Sequence, residues 1–175
     1  MSAYGEVLSK DTIRFERVLP GPIERVWDYL VDSDKRSEWL AHGDMEPRAG
    51  GKMELRWKHS ELTTPDDPPP PQYKSSENGM GFVGEVLAYE PPRMLKISWW
   101  SSGSEVTFEL QPQGENVLLT LTHARLPDRD TALSVSGGWH AHLALLEDQL
   151  AGRERRPFWK NIAALKQEYQ SRIPA

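Results

Sequence analysis

Between Gly79 and His123 four stretches alternate apolar and polar positions, and they lead into Arg129–Leu150, whose apolar residues recur with a helical period. At about 1.5 Å per residue this segment makes a helix roughly 33 Å long. Strands of seven or eight residues span about 25 Å, so one such helix can cross a whole sheet. The pattern predicts an α+β domain in which a curved antiparallel sheet wraps around a long C-terminal helix. A sheet closed over a single helix leaves a space between them, and such a space suits an apolar molecule.

The earlier part of the chain completes the sheet. Residues 12–19 put Ile13, Phe15, Arg17 and Leu19 on one face of a first strand. Pro20-Gly21-Pro22 breaks it, with Pro22 suited to the first position of a helix. Ile23, Val26, Trp27, Leu30 and Val31 then form a one-faced helical stripe, followed by a second short helix over 34–40 anchored by Trp39. Gly50-Gly51 turns the chain into residues 52–58, where Met53, Leu55 and Trp57 alternate strictly with Lys52, Glu54, Arg56 and Lys58. Phe82 and Val86 face inward on the strand over 79–89, and Leu95, Ile97 and Trp99 on the strand over 93–100. Val106, Phe108 and Leu110 follow on 104–111, and Val117, Leu119, Leu121 and His123 on 116–123. The short turns between them predict an antiparallel meander.

Other segments carry weaker signals. Residues 1–11 read as a flexible lead-in, 12–152 as the domain, and 153–175 as a helical extension with the stripe Phe158, Ile162, Leu165 and Tyr169. That last helix packs back on the domain or meets a partner subunit. Residues 59–78 hold Pro65, Asp66, Asp67 and the prolines at 68–71. Consecutive prolines favour extended polyproline II geometry, and a loop this long is uncommon in a compact domain. A lid, a docking segment and a disordered stretch all fit. In the long helix, Gly137-Gly138 interrupts the first half at about 1 kcal/mol each relative to alanine. Either the helix packs closely there or the missing side chains leave room for a ligand.

Composition narrows the function classes. A chain of 175 residues with 38% hydrophobic content makes one domain of ordinary size. No run approaches the roughly 18 apolar residues of a membrane span, and the N-terminus lacks a signal-peptide layout, so a cytoplasmic protein is expected. With no cysteine there is no disulfide, thiolate nucleophile or zinc-thiolate site. A net charge of -5 argues against nucleic acid as a partner. Residues 152–175 carry six Lys or Arg against two Glu, which reads as a solvated helix face.

Several features keep a recognisable order. They are the strand before residues 22–40 with Trp27 and Trp39, Gly50-Gly51, Gly84-Glu85-Val86, and Pro91-Pro92-Arg93-Met94-Leu95 leading to Trp99. Leu121-Thr122-His123 and Gly138-Trp139 complete the series. In this order and spacing the chain resembles the START-related helix-grip superfamily, also called SRPBCC. Within it, the chain is most similar to the branch named after the C-terminal domain of the activator of the ninety-kilodalton heat-shock protein ATPase. The resemblance spans roughly residues 12–150; the loop over 59–78 looks longer than usual, and 158–173 lies beyond it. It implies a strand, two short helices, a bent antiparallel sheet and a long helix in its concavity. It also implies a cavity of the kind relatives use for lipids, hormones, polyketides or aromatic compounds.

The candidate lining is therefore Met53, Leu55, Trp57, Phe82, Val86, Ile97, Trp99, Phe108 and Leu121 from the sheet, with Trp139, Leu143 and Leu146 from the helix. Each buried aromatic removes about 150–250 Å² from water, so this set either lines a cavity or fills it. His123, also inward, could orient a polar ligand group or transfer a proton; a satisfied rim histidine fits the same position. No catalytic residue is assigned. His140 and His142 are two residues apart on a helix and point in different directions, and His42 with Glu38 has no third ligand, so no metal and no cofactor are assigned. A Gly-x-Ser-x-Gly elbow and a phosphate-binding glycine loop are both absent. The leading expectation is a non-enzymatic binder of a small hydrophobic or aromatic molecule. The alternatives are a polyketide cyclase or aromatase-like enzyme, and a module that dimerises or meets a chaperone partner.

Overall fold

A computed structural model describes residues 2–175. The elements run β1 (Glu6–Ser9), β2 (Thr12–Pro20), α1 (Ile23–Val31), α2 (Ser33–Ser37), β3 (Lys52–Arg56), β4 (Gly81–Glu90) and β5 (Met94–Trp99). They continue with β6 (Ser104–Gln113), β7 (Asn116–Ala124), α3 (Arg129–Leu150) and α4 (Phe158–Arg172). The strands form one seven-stranded antiparallel sheet in the order β1-β2-β7-β6-β5-β4-β3. The expected α+β helix-grip architecture is what the chain adopts.

Strict alternation places the buried residues in transverse rows. Ile13, His123, Val106, Ile97 and Val86 stand side by side across five strands, and Phe15, Leu121, Phe108, Leu95 and Tyr89 form the next row. The register of β4 on β5 shifts between Val86 and Ala88, which bends the sheet locally. Trp139 of α3 meets this concave face: its ring lies 5.9 Å from Phe108 and 4.9 Å from Trp99. The Asp128 side chain caps α3 by accepting a bond from the Thr131 N–H at 2.7 Å. At the other end an Arg25 guanidinium from α1 donates to the Leu150 carbonyl at 3.0 Å. Among the described residues no helix is long and apolar enough to cross a membrane.

Three details differ from the sequence reading. Glu6–Ser9, inside the expected lead-in, is an edge strand paired with β2. All four of its residues are exposed, so backbone pairing and an exposed Arg14–Glu6 ion pair at 2.7 Å hold it, and no hydrophobic pattern marks it. Helix α2 is shorter than expected and ends before Trp39, which is fully buried with its indole N–H donating to the Tyr29 carbonyl at 2.8 Å. The proline-rich segment is packed, with short 3-10 turns at His59–Glu61 and Pro71–Ser76. Its ends are tied by Trp57 N–H to the Met80 carbonyl and His59 N–H to the Glu77 carbonyl, at 2.8 and 2.9 Å.

Helix α4 packs back on α3 and joins the same core through Phe158, Trp159, Ile162, Leu165 and Tyr169. The two glycines of α3 separate here. A Cβ on Gly137 would come within 2.9 Å of Lys166 Cγ, whereas one on Gly138 would meet nothing within 4 Å. Close packing explains the first and not the second.

Candidate functional site

A cavity of about 380 Å³ lies at the Trp99 end of the sheet, enclosed by α3, α4 and the proline-rich segment. The sheet contributes Trp57, Trp99 and the exposed Trp100; α3 contributes Gly138, Trp139 and His142; α4 contributes Phe158, Trp159 and Ile162. His59 and Tyr73 close it from the proline-rich segment, and exposed Gln72, Met80 and Ser134 sit at its mouth. The rings support one another. Trp57 stacks on Trp100 at 6.1 Å and meets Trp99 edge-on at 5.7 Å, while Tyr73 stacks on Trp159 at 5.5 Å. Trp100 has a φ of 54°, a left-handed conformation that a bulky residue rarely adopts, and it holds this indole over Trp57.

Of the residues expected to line a cavity, Trp57, Trp99 and Trp139 do so. Met53, Leu55, Val86, Ile97, Phe108, Leu121, Leu143 and Leu146 are instead packed in the core, none more than 2% exposed. The transverse rows interdigitate with α3, so the middle of the concavity is filled and the open volume is displaced to one end. Phe82 backs the tryptophans from the far side, 5.1 Å from Trp99 and 4.6 Å from Trp100.

His123 is fully buried and both ring nitrogens are engaged. Trp139 Nε1–H donates to Nδ1 at 3.0 Å, which leaves the proton on Nε2 to be donated to Ser104 Oγ at 3.0 Å. Ser104 in turn donates to the Trp99 carbonyl at 3.2 Å. Burial holds the imidazole down to about 4, so it is neutral at physiological pH. This is a strut between α3 and the sheet. It orients Trp139 and has no free edge for a ligand or a proton.

Two other histidines reach the cavity, and neither was singled out for that role by the sequence pattern. His142 Nδ1–H donates to the Trp39 carbonyl at 2.8 Å, and His59 Nδ1–H donates to the Glu77 carbonyl at 2.9 Å. Burial pushes His142 down to about 3, helped by the neighbouring His59, and lowers His59 as well. Their rings lie 6.4 Å apart, with Phe158 packed against both. The Lys166 ammonium on the same wall is engaged by the Tyr73 hydroxyl and ring. The stripe on α4 had pointed to Phe158 and Ile162; Trp159 and Tyr73 carried no such signal.

The wall made by α4 depends on Asp67. Pro157 precedes α4 and offers no side-chain cap. The Asp67 carboxylate, 1% exposed, accepts instead from the Trp159 and Lys160 backbone N–H groups at 2.7 and 3.0 Å and from Thr63 Oγ1 at 2.5 Å. An acidic residue of the proline-rich segment thus caps a helix more than ninety residues away. His42 pairs with Glu61 at 2.6 Å and not with Glu38. Among the described residues no three His, Asp or Glu side chains converge as a metal site.

The family profile described as Activator of Hsp90 ATPase homolog 1-like protein matches residues 20–68 and 70–151. No curated protein matches the chain. Among solved structures, the protein encoded by gene BPP1335 from Bordetella parapertussis is 44% identical, with a TM-score of 0.84 over 99% of this chain and 92% of that one. CalU16 from Micromonospora echinospora is 22% identical, with a TM-score of 0.68 over 94% and 89% of the two chains. The Aha1 dimer from Colwellia psychrerythraea is 18% identical, with a TM-score of 0.60 over 79% and 95%. The latter two show a shared fold.

Proposed function

The chain belongs to the Activator of Hsp90 ATPase homolog 1-like family, and from that premise we propose that it is a container for a small aromatic or hydrophobic molecule. The aromatic-walled cavity of about 380 Å³ carries this reading. That volume lies at the lower end of the roughly 300–1,000 Å³ typical of small-molecule sites. Much of its wall is carried by the helices α3 and α4, whose packed side chains limit the entropy lost on binding. A catalytic role has less support. His123 has both nitrogens bound, and burial holds His142 to about 3 and lowers His59, which makes the cavity imidazoles weak bases. A dimerising role for α4 also has less support, because its apolar side chains are turned into this chain's own core.

Native mass spectrometry of freshly purified protein, together with calorimetric titration of 2-naphthol, tests the container. A bicyclic probe of ~11 heavy atoms at roughly -0.4 to -0.7 kcal/mol per atom should bind once, with a Kd between about 2 µM and 0.6 mM. Gly138→Leu, which directs a side chain into the open space beside α3, should abolish that binding and leave the fold intact. Absence of any saturable binding by the unmodified protein, with no retained molecule, would sink the proposal.

A further inference from the structure

The cavity is apolar over most of its wall, and His59 and His142 are the buried polar side chains that line it. A carbonyl oxygen only accepts hydrogen bonds, so the contacts of His59 and His142 with Glu77 and Trp39 require the proton on Nδ1 of each ring. Each ring is neutral, which leaves Nε2 as a lone-pair acceptor. Neither Nε2 has a partner among the described residues, and both rings stand on the cavity wall. Trp159 contributes its ring to the same wall, while its indole N–H is buried away from the open space. No carboxylate lines the cavity among the described residues, and the Lys166 ammonium is taken up by Tyr73.

We propose, resting on the container reading, that His59 and His142 form a paired acceptor that selects an aromatic ligand bearing a hydroxyl group. A hydroxyl donates its proton to an imidazole nitrogen, which an ether oxygen cannot do. Water can fill the same role before a ligand enters. A purely apolar ligand displaces that water and leaves the acceptors unpaired, which costs about 1–3 kcal/mol per buried group. The discrimination therefore comes mainly from rejecting molecules without a donor. The residues act on specificity and carry out no bond making or breaking.

The test compares 2-naphthol with 2-methoxynaphthalene, which keeps the oxygen and the ring system and removes the donor. Calorimetric titration of the full chain should show 2-naphthol binding about 5- to 100-fold more tightly. His59→Asn with His142→Asn places an amide N–H where each Nδ1–H stood, preserving the bonds to Glu77 and Trp39, and leaves no atom at Nε2. The double variant should bind both probes within about twofold of each other, chiefly because the affinity for 2-methoxynaphthalene rises once no acceptor is left unpaired. On the unmodified protein, histidine-labelled ¹⁵N spectra should show Nδ1–H tautomers at both positions and a shift of Nε2 when 2-naphthol binds. That measurement stands even where the variants fail to fold. Equal affinity for the two probes, or a preference that survives in a folded double variant, overturns this inference and leaves the container intact. Failure of both probes to bind overturns the two together.

Discussion

Replacing Asp67 with alanine should loosen α4 from its first turn and destabilise the whole domain. The carboxylate is buried and accepts from Trp159 N–H, Lys160 N–H and Thr63 Oγ1. Losing an N-cap acceptor costs about 0.5–2 kcal/mol, and losing negative charge at a helix N-terminus adds about 0.3–1 kcal/mol. The buried Trp159 N–H, left without an acceptor, brings the expected total to about 2–3 kcal/mol, while Thr63 Oγ1 keeps its bond to the residue 67 carbonyl. For a domain of this size, where 1 kcal/mol shifts Tm by roughly 2–4 °C, the transition should fall by about 4–12 °C. Asp67→Asn keeps an acceptor oxygen and should lose only ~1 kcal/mol. Urea unfolding monitored by tryptophan fluorescence gives the magnitude, and hydrogen exchange at the Trp159 and Lys160 amides localises it. If Asp67→Ala unfolds within about 0.5 kcal/mol of the unmodified chain with unchanged exchange at both amides, this surrogate cap does not hold α4.

The remaining predictions concern the struts and the glycines. His123→Ala strands the Trp139 indole N–H in the core and should cost about 3 kcal/mol in urea unfolding, whereas His123→Asn, which retains an acceptor, should cost less. Because burial holds His123 to about 4 and His142 to about 3, the unfolded chain alone takes up their protons as pH falls below its ordinary value of about 6.5. Their contribution is thus complete above about pH 6.5 and is lost towards pH 4, with each adding up to ~1.4 kcal/mol per pH unit to the slope. Urea midpoints between pH 7 and 4.5 measure that slope, and His123→Asn should flatten it. Gly138→Ala should stabilise the domain by about 0.5–1 kcal/mol, since its Cβ enters open space. Gly137→Ala should give no such gain in thermal unfolding, because Lys166 Cγ stands 2.9 Å away.

Much of the sheet was legible because its cause is local. A strand with one face in water must alternate, and β2, β3, β5, β6 and β7 each carry that period in their own residues. The bounds of α3 could be read from apolar positions recurring at about 3.6 residues, although the helix is buried on every side from Ala141 to Leu146, between the sheet and α4. β1 left no trace because pairing that buries no side chain places no demand on side-chain type.

The cavity was legible only in part. Inward positions of Trp57, Trp99 and Trp139 follow from period alone, yet Phe108 and Leu121 satisfy the same rule and are packed solid. Whether an inward side chain meets a void depends on how closely facing surfaces fit, and those surfaces come from segments far apart in the chain. His59 and His142 share a wall across 82 intervening positions, and Asp67 reaches α4 across a longer stretch. Periodicity, encoded residue by residue, was enough to determine a sheet gripping a helix. Where the grip stays open, and which nitrogens face the gap, was decided only when α4 and the proline-rich segment closed over Trp139, because packing depends on the shapes of both partners at once.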